Sequence, residues 1–142
     1  MIYTPMTKAA MKLCYRAHHG QFDKSGIPYV FHPIHLAEQM TDEDTTVVAL
    51  LHDVVEDTPC TLEDLRNYGF PERVVEAVGY MTHPDGVEYM DYVAKIRENP
   101  IARAVKQADL QHNSDLTRME QIDERALERT EKYRKAMALL TE

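Results

Sequence analysis

The stretch ALLHDVVEDT, Ala49 to Thr58, sets an imidazole and three carboxylates directly behind an apolar run. Burying such groups is costly unless they share partners or a counter-ion. On a continuous helix His52 and Glu56 would lie one turn apart, as would Asp53 and Asp57, while His52 and Asp53 differ by about 100° and can straddle one point. That gives a pair of ligands with two further carboxylates nearby. The same side-chain types recur at His32, just before Pro33, and in ADLQHN, where Asp109 is followed by His112 and Asn113. Imidazole nitrogen mixed with hard carboxylate oxygen suits Mn²⁺, Fe²⁺ or Zn²⁺ better than Ca²⁺. A metal held this way, with positions open to water, supports hydrolysis.

The supporting elements read as helices. Thr4-Pro5 is an N-cap and N1 pair, and Met6, Ala9, Ala10, Leu13, Cys14 and Ala17 follow at helical spacing until Gly20. Residues 20–31 read as a loop. Pro33 opens a short helix through Met40, and Asp42 or Asp44 caps the helix carrying ALLHDVVEDT, which Pro59 ends. Thr61 with Asp64 has the form of a capping box for a helix ending near Gly69. Pro71 starts another helix with Val74, Val75 and Val78 inside. His83-Pro84-Asp85-Gly86 is a turn before a helix from about Val87 to Arg97. Asn99-Pro100 opens the helix that carries Asp109, with Ile101, Ala104, Val105 and Ala108 on its buried face. Asp123 caps a last helix with Leu127, Met137, Leu139 and Leu140 inside. Few segments alternate with period two. The expectation is an all-α protein of seven or eight helices, one domain over residues 1–142, with the Met and Tyr residues at helical spacing in the core.

The 142 residues are 44% apolar and 28% charged, ordinary for a globular chain. The net charge of −8 argues against a nucleic-acid binder. The imbalance is local: eight acidic residues and no Lys or Arg lie between Thr41 and Leu65, while Lys95, Arg97, Arg103, Lys106 and the segment Arg125–Lys135 are basic. An acidic metal cradle facing a basic rim is one way to hold an anionic substrate. Cys14 and Cys60 form no metal or disulfide pattern, MIYTPMTKAA has no signal-peptide form, and no apolar run reaches the roughly 18 residues of a membrane span. The expected location is the cytoplasm, with no membrane partner; oligomeric state is left open.

Four blocks in one order carry a resemblance: HHGQFDKSGIPYVFHPIHLA, ALLHDVVEDT, the stretch from Thr61 to Val78, and VKQADLQHN. Over residues 6–116 the chain resembles the hydrolase domain of the RelA/SpoT family, within the HD-type metal-dependent phosphohydrolases, and its size is similar to the small stand-alone alarmone hydrolases. The resemblance implies an all-helical HD fold and one Mn²⁺ held by His32, His52, Asp53 and Asp109. It implies that Glu56 and Asp57 orient or deprotonate the attacking water. The implied reaction removes pyrophosphate from the ribose 3′ position of (p)ppGpp, giving GDP or GTP. Asn113 matches the residue that contacts the ribose, Lys24 and Ser25 the loop that flanks the base, and Arg129 with Tyr133 a pair that reaches the substrate.

Three positions depart from the family pattern. Asp23, in FDKSG, replaces an arginine that packs on the guanine, and a carboxylate cannot supply that contact. Gln107 replaces the Leu of KLAD, and His83 stands where a Lys is usual. The altered base loop leaves two alternatives: a phosphatase for another phosphorylated nucleotide, such as a nicotinamide dinucleotide phosphate, or a catalytically silent nucleotide sensor. A synthetase domain is not expected. His18, His19, His35, His83 and His112 read as ordinary packing or surface residues, with a supporting role behind the metal ligands as a minor alternative for His112.

Overall fold

The computed structural model describes all residues from Met1 to Glu142. Nine α-helices follow one another: α1 (Pro5–His18), α2 (Phe31–Glu38), α3 (Glu43–Leu51), α4 (Val54–Asp57), α5 (Leu62–Asn67), α6 (Glu72–Tyr80), α7 (Tyr89–Ile96), α8 (Pro100–Asn113) and α9 (Glu124–Thr141), with a 3₁₀ turn over Leu116–Arg118. No strand forms; Phe22 and Pro28 make a single bridge inside the loop between α1 and α2. The all-α expectation holds.

The helix starts follow the capping chemistry. Thr4 and Asp42 accept from the Thr7 and Thr45 amides, Thr61 and Asp64 form the capping box, and Asn99 and Asp123 cap α8 and α9. Helix α3 is the centre of the molecule. Every residue from Thr45 to Leu51 is buried, and α1, α2, α6 and α8 pack around it. A helix apolar on all sides has no solvent face to keep and so takes the interior. Leu50 and Leu51 are fully buried, each contributing about 1.5–3 kcal/mol by removal from water.

The structure corrects the helical reading in several places. The ALLHDVVEDT helix is not continuous: α3 stops at Leu51 and α4 begins at Val54. The His52 ring Nδ1 donates to the Ala49 carbonyl at 2.7 Å, the acceptor that a continuing helix would offer to the Asp53 amide. Asp53 then leaves helical geometry at φ −105°, ψ 1°. This break raises the helix number above the expected eight. Helix α2 starts two residues before Pro33, so His32 sits in its first turn, and α7 starts at Tyr89. Leu127 is 53% exposed, because the buried stripe of α9 runs through Ala126, Ala136 and Leu140 and position 127 is turned about 100° from it. Ala9 is exposed, and so are Tyr3, Tyr15 and Tyr68, which leave the tyrosines only partly in the core.

Candidate metal centre and nucleotide cleft

Three elements bring the ligand candidates together. Helix α2 supplies His32, the break after α3 supplies His52 and Asp53, and α8 supplies Asp109. One ligand atom from each of His32, His52 and Asp109 lies within 4.8 Å of the others, and all three residues are buried. Asp109 is the hub. Its Oδ1 is 2.9 Å from His32 Nε2 and 3.5 Å from His52 Nε2, and it accepts from Asn113 Nδ2 at 3.0 Å. Its Oδ2 accepts from the Lys106 ammonium at 2.9 Å. Lys106, Asp109 and Asn113 are spaced i, i+3, i+7 on α8, so one helix face carries the carboxylate with a charged and a neutral donor on either side.

Asp53 stands beside this trio rather than in it. Its Oδ2 is 3.0 Å from His52 Nε2 and accepts a hydrogen bond from the Tyr29 hydroxyl. Burial would raise the Asp53 pKa, but the neighbouring His52 outweighs it and the carboxyl stays below its usual value. Asp109 likewise resists burial: Lys106 and the two histidines hold it well below the ordinary carboxylate range. Burial would lower His52, yet Asp53 and Asp109 hold the ring well above its usual value.

The donor set fits a divalent cation. The Ala49 carbonyl can only accept, so His52 Nδ1 carries a proton and Nε2 presents its lone pair toward the carboxylates of Asp53 and Asp109. That buried nitrogen makes no aligned hydrogen bond despite the short contacts. A lone pair facing two carboxylate oxygens requires positive charge between them, a proton or a metal ion. His32 faces Asp109 from the other side through Nε2, and its Nδ1 lies 2.7 Å from His112 Nδ1, which orients the ring. Burial and the Arg118 charge lower His112 to about 4, so it remains neutral at physiological pH.

Glu56 and Asp57 do not enter the trio. They lie at the exposed end of α4, where Glu56 Oε1 accepts from the His83 amide at 2.9 Å. Partial burial raises both carboxyl pKa values, and the charge of Asp53 adds to the effect. His83 itself stacks on Tyr92 with ring centroids 4.6 Å apart, and its backbone amide supports Glu56.

A cleft of about 280 Å³ opens beside the metal centre. Lys24, Ser25, Asn113, Arg129 and Tyr133 all line it, together with His32, Tyr29, Phe22, Asp23 and Arg118. The five substrate candidates thus share one surface that ends at a metal-ligand candidate. The Ser25 hydroxyl is engaged by the chain: it donates to the Arg118 carbonyl at 3.1 Å and accepts from the Glu120 amide at 3.3 Å. The sequence reading missed Tyr29, Lys106 and Arg118 as site residues and gave His112 only a minor role. Lys106 and His112 were legible as the i−3 and i+3 neighbours of Asp109; nothing in the sequence marks Tyr29.

Buried histidine and aspartate side chains projecting from a helical core define a candidate divalent-metal site in an all-helical fold, and comparison places that fold. The HD domain model matches residues 10–141, so the chain belongs to the HD domain family. Within it, the chain is 40% identical over 87 residues to the bifunctional (p)ppGpp synthase/hydrolase SpoT of Escherichia coli K12, covering 58% of this chain and 12% of SpoT. It is 42% identical over 92 residues to the guanosine-3′,5′-bis(diphosphate) 3′-pyrophosphohydrolase of Vibrio cholerae, covering 62% of this chain and 12% of that protein. The chain therefore spans about an eighth of the length of these curated relatives. A solved structure of a metazoan ortholog of SpoT that hydrolyses ppGpp superimposes with a TM-score of 0.78 at 26% identity, covering 99% of this chain and 88% of that one. No helix is long and apolar enough to cross a membrane.

Proposed function

We propose that this chain is a Mn²⁺-dependent phosphohydrolase that removes the 3′-pyrophosphate of (p)ppGpp, releasing GDP or GTP, and that residues 1–142 act as one domain in the cytoplasm. The observation that carries the reading is the continuity of the cleft with the metal centre: Asn113 lines the cleft and also donates to Asp109, and His32 belongs to both. Two free cysteines accord with a reducing compartment.

In this reading His32, His52, Asp53 and Asp109 would hold the metal, with the Tyr29 hydroxyl bonded to the Asp53 carboxylate. The bound metal supplies Lewis-acid polarisation of a phosphoryl oxygen and lowers the pKa of water. Glu56 and Asp57, whose carboxyl pKa values burial raises from their ordinary values, are suited to take the proton of the attacking water at near-neutral pH. The His83 amide holds Glu56 in place for that task. Water adds its oxygen to the phosphorus attached at the 3′ position, the bond from that phosphorus to the ribose oxygen breaks, and the ribose oxygen gains a proton. Arg129 and Lys24 offset charge along the cleft, Asn113 meets the ribose, and Tyr133 packs beside the nucleotide.

The test is pyrophosphate release from ppGpp, with Mn²⁺ or with chelator, for the wild type and for His52→Ala/Asp53→Ala. Mn²⁺-dependent release that the double variant lacks is the expected result. Release of inorganic phosphate instead, or no turnover by folded, metal-loaded protein, would overturn the alarmone reading.

A further inference from the structure

The cleft carries two side chains, Asp23 and Arg118, each held to the fold by one polar atom and leaving the other uncommitted. Asp23 Oδ1 is committed to the loop, accepting from the Ser25 amide at 2.8 Å and the Ile27 amide at 3.0 Å. Asp23 Oδ2 is not: its nearest cation, Arg118 Nη2, is 3.8 Å away, beyond hydrogen-bond length. Arg118 is anchored through Nη1, which donates to the His112 carbonyl at 2.7 Å, and this leaves Nη2 unused beside Asp23. The junction between the two loops is already made by Ser25, whose hydroxyl bridges the Arg118 carbonyl and the Glu120 amide. Asp23 and Arg118 therefore line the cleft as one free acceptor next to one free donor. The other carboxylate lining the cleft, Asp115, accepts from the Thr117 amide and hydroxyl through Oδ1 and makes no ion pair with a guanidinium.

A carboxylate repels phosphate, so this part of the cleft is built for a ligand group that carries N–H donors. An acceptor and a donor side by side match the edge of guanine, where the N1–H and N2 amine can meet Asp23 and O6 can meet Arg118. Adenine presents a lone pair at N1 where guanine presents a proton, and it has no O6. Phe22 also lines the cleft and is 64% exposed, an aromatic face on which a base can stack. We propose that Asp23 and Arg118 form the specificity pair of this cleft, selecting a guanine over an adenine nucleotide through the paired acceptor and donor, with Phe22 as the stacking surface.

This inference rests on the nucleotide reading above, and its test is chosen to fail separately. Binding of GDP, IDP and ADP is measured by calorimetry on the full chain loaded with Mn²⁺, without turnover. The wild type should bind GDP at least roughly tenfold more tightly than ADP, with IDP between them because it lacks the N2 amine. Asp23→Asn retains a side-chain oxygen for the loop amides but exchanges the free acceptor for a donor, and it should remove most of the GDP preference. Arg118→Met should weaken GDP and leave ADP nearly unchanged. Equal GDP and ADP affinities in the wild type, or a preference that survives in both folded variants, would overturn the proposal. A GDP preference that both variants lose, in a protein that releases no pyrophosphate from ppGpp, would uphold the pair and overturn only the reaction.

Discussion

Asp109→Asn tests the site where stability and function meet. Asp109 and Lys106 are only 5% and 9% exposed, and their charged atoms are 2.9 Å apart. The substitution keeps the shape of the side chain and removes the charge that Lys106 needs. Stranding one partner of a buried ion pair costs about 3–5 kcal/mol. The rings of Tyr92 and Tyr89, 5.4 and 5.9 Å from the ammonium, remain as a cushion. That cushion is worth about 1 kcal/mol, which leaves a net loss near 3 kcal/mol. For a chain of this length each kcal/mol shifts Tm by about 2–4 °C, so the fall should be about 6–12 °C. Melting is followed by circular dichroism in chelator, so that metal contributes to neither protein. Asp109→Asn/Lys106→Met removes the stranded ammonium as well and should recover much of the loss, a non-additive cycle. A single variant that melts within about 2 °C of wild type, or a double variant whose loss is the plain sum of the two singles, would refute the argument that this pair is electrostatically coupled in the core.

Three further expectations follow from the same geometry. His52 is held above its usual pKa by Asp53 and Asp109, so a proton competes for the Nε2 lone pair; Mn²⁺ affinity should fall as pH drops through that raised value and level off above it, and a flat calorimetric profile from about pH 6 to 9 would contradict this. Glu56→Gln should lower kcat by about 10²–10⁴-fold with Mn²⁺ stoichiometry intact; because burial raises its carboxyl, the wild-type acid limb should be shifted upward from that of an ordinary glutamate, the rate rising with pH as Glu56 loses its proton. Leu51→Ala, at a fully buried position next to His52, should cost about 2–5 kcal/mol in chemical denaturation and weaken Mn²⁺ binding, whereas a loss confined to stability would show that α3 does not position the ligand.

Much of the site was legible because its residues carry their own markers. His52-Asp53 and Asp109 announce themselves by type, His32 by its block, and the five cleft residues by the matching segments around them. What stayed hidden depends on where backbone groups go. The break at His52 follows from a side chain taking the Ala49 carbonyl, an event that helical periodicity cannot show. Tyr29 lies in a loop with no period at all, and its role is defined by where Asp53 comes to rest 24 positions later. Arg118 reads as one more basic residue until the fold sets it against Asp23, 95 positions earlier in the chain.

The sequence by itself determined the all-helical class, the starts of most helices and the chemistry of the ligand set, because capping and apolar spacing act over a few residues and ligand type is a property of the side chain. The tertiary structure alone decided that His32, His52 and Asp109 converge with Asp53 beside them, bonded by Tyr29, and that Asp23 comes to lie next to Arg118. Those outcomes depend on how α2, α3 and α8 pack around one buried core, a long-range arrangement in which each charge finds its partner only after the chain has folded.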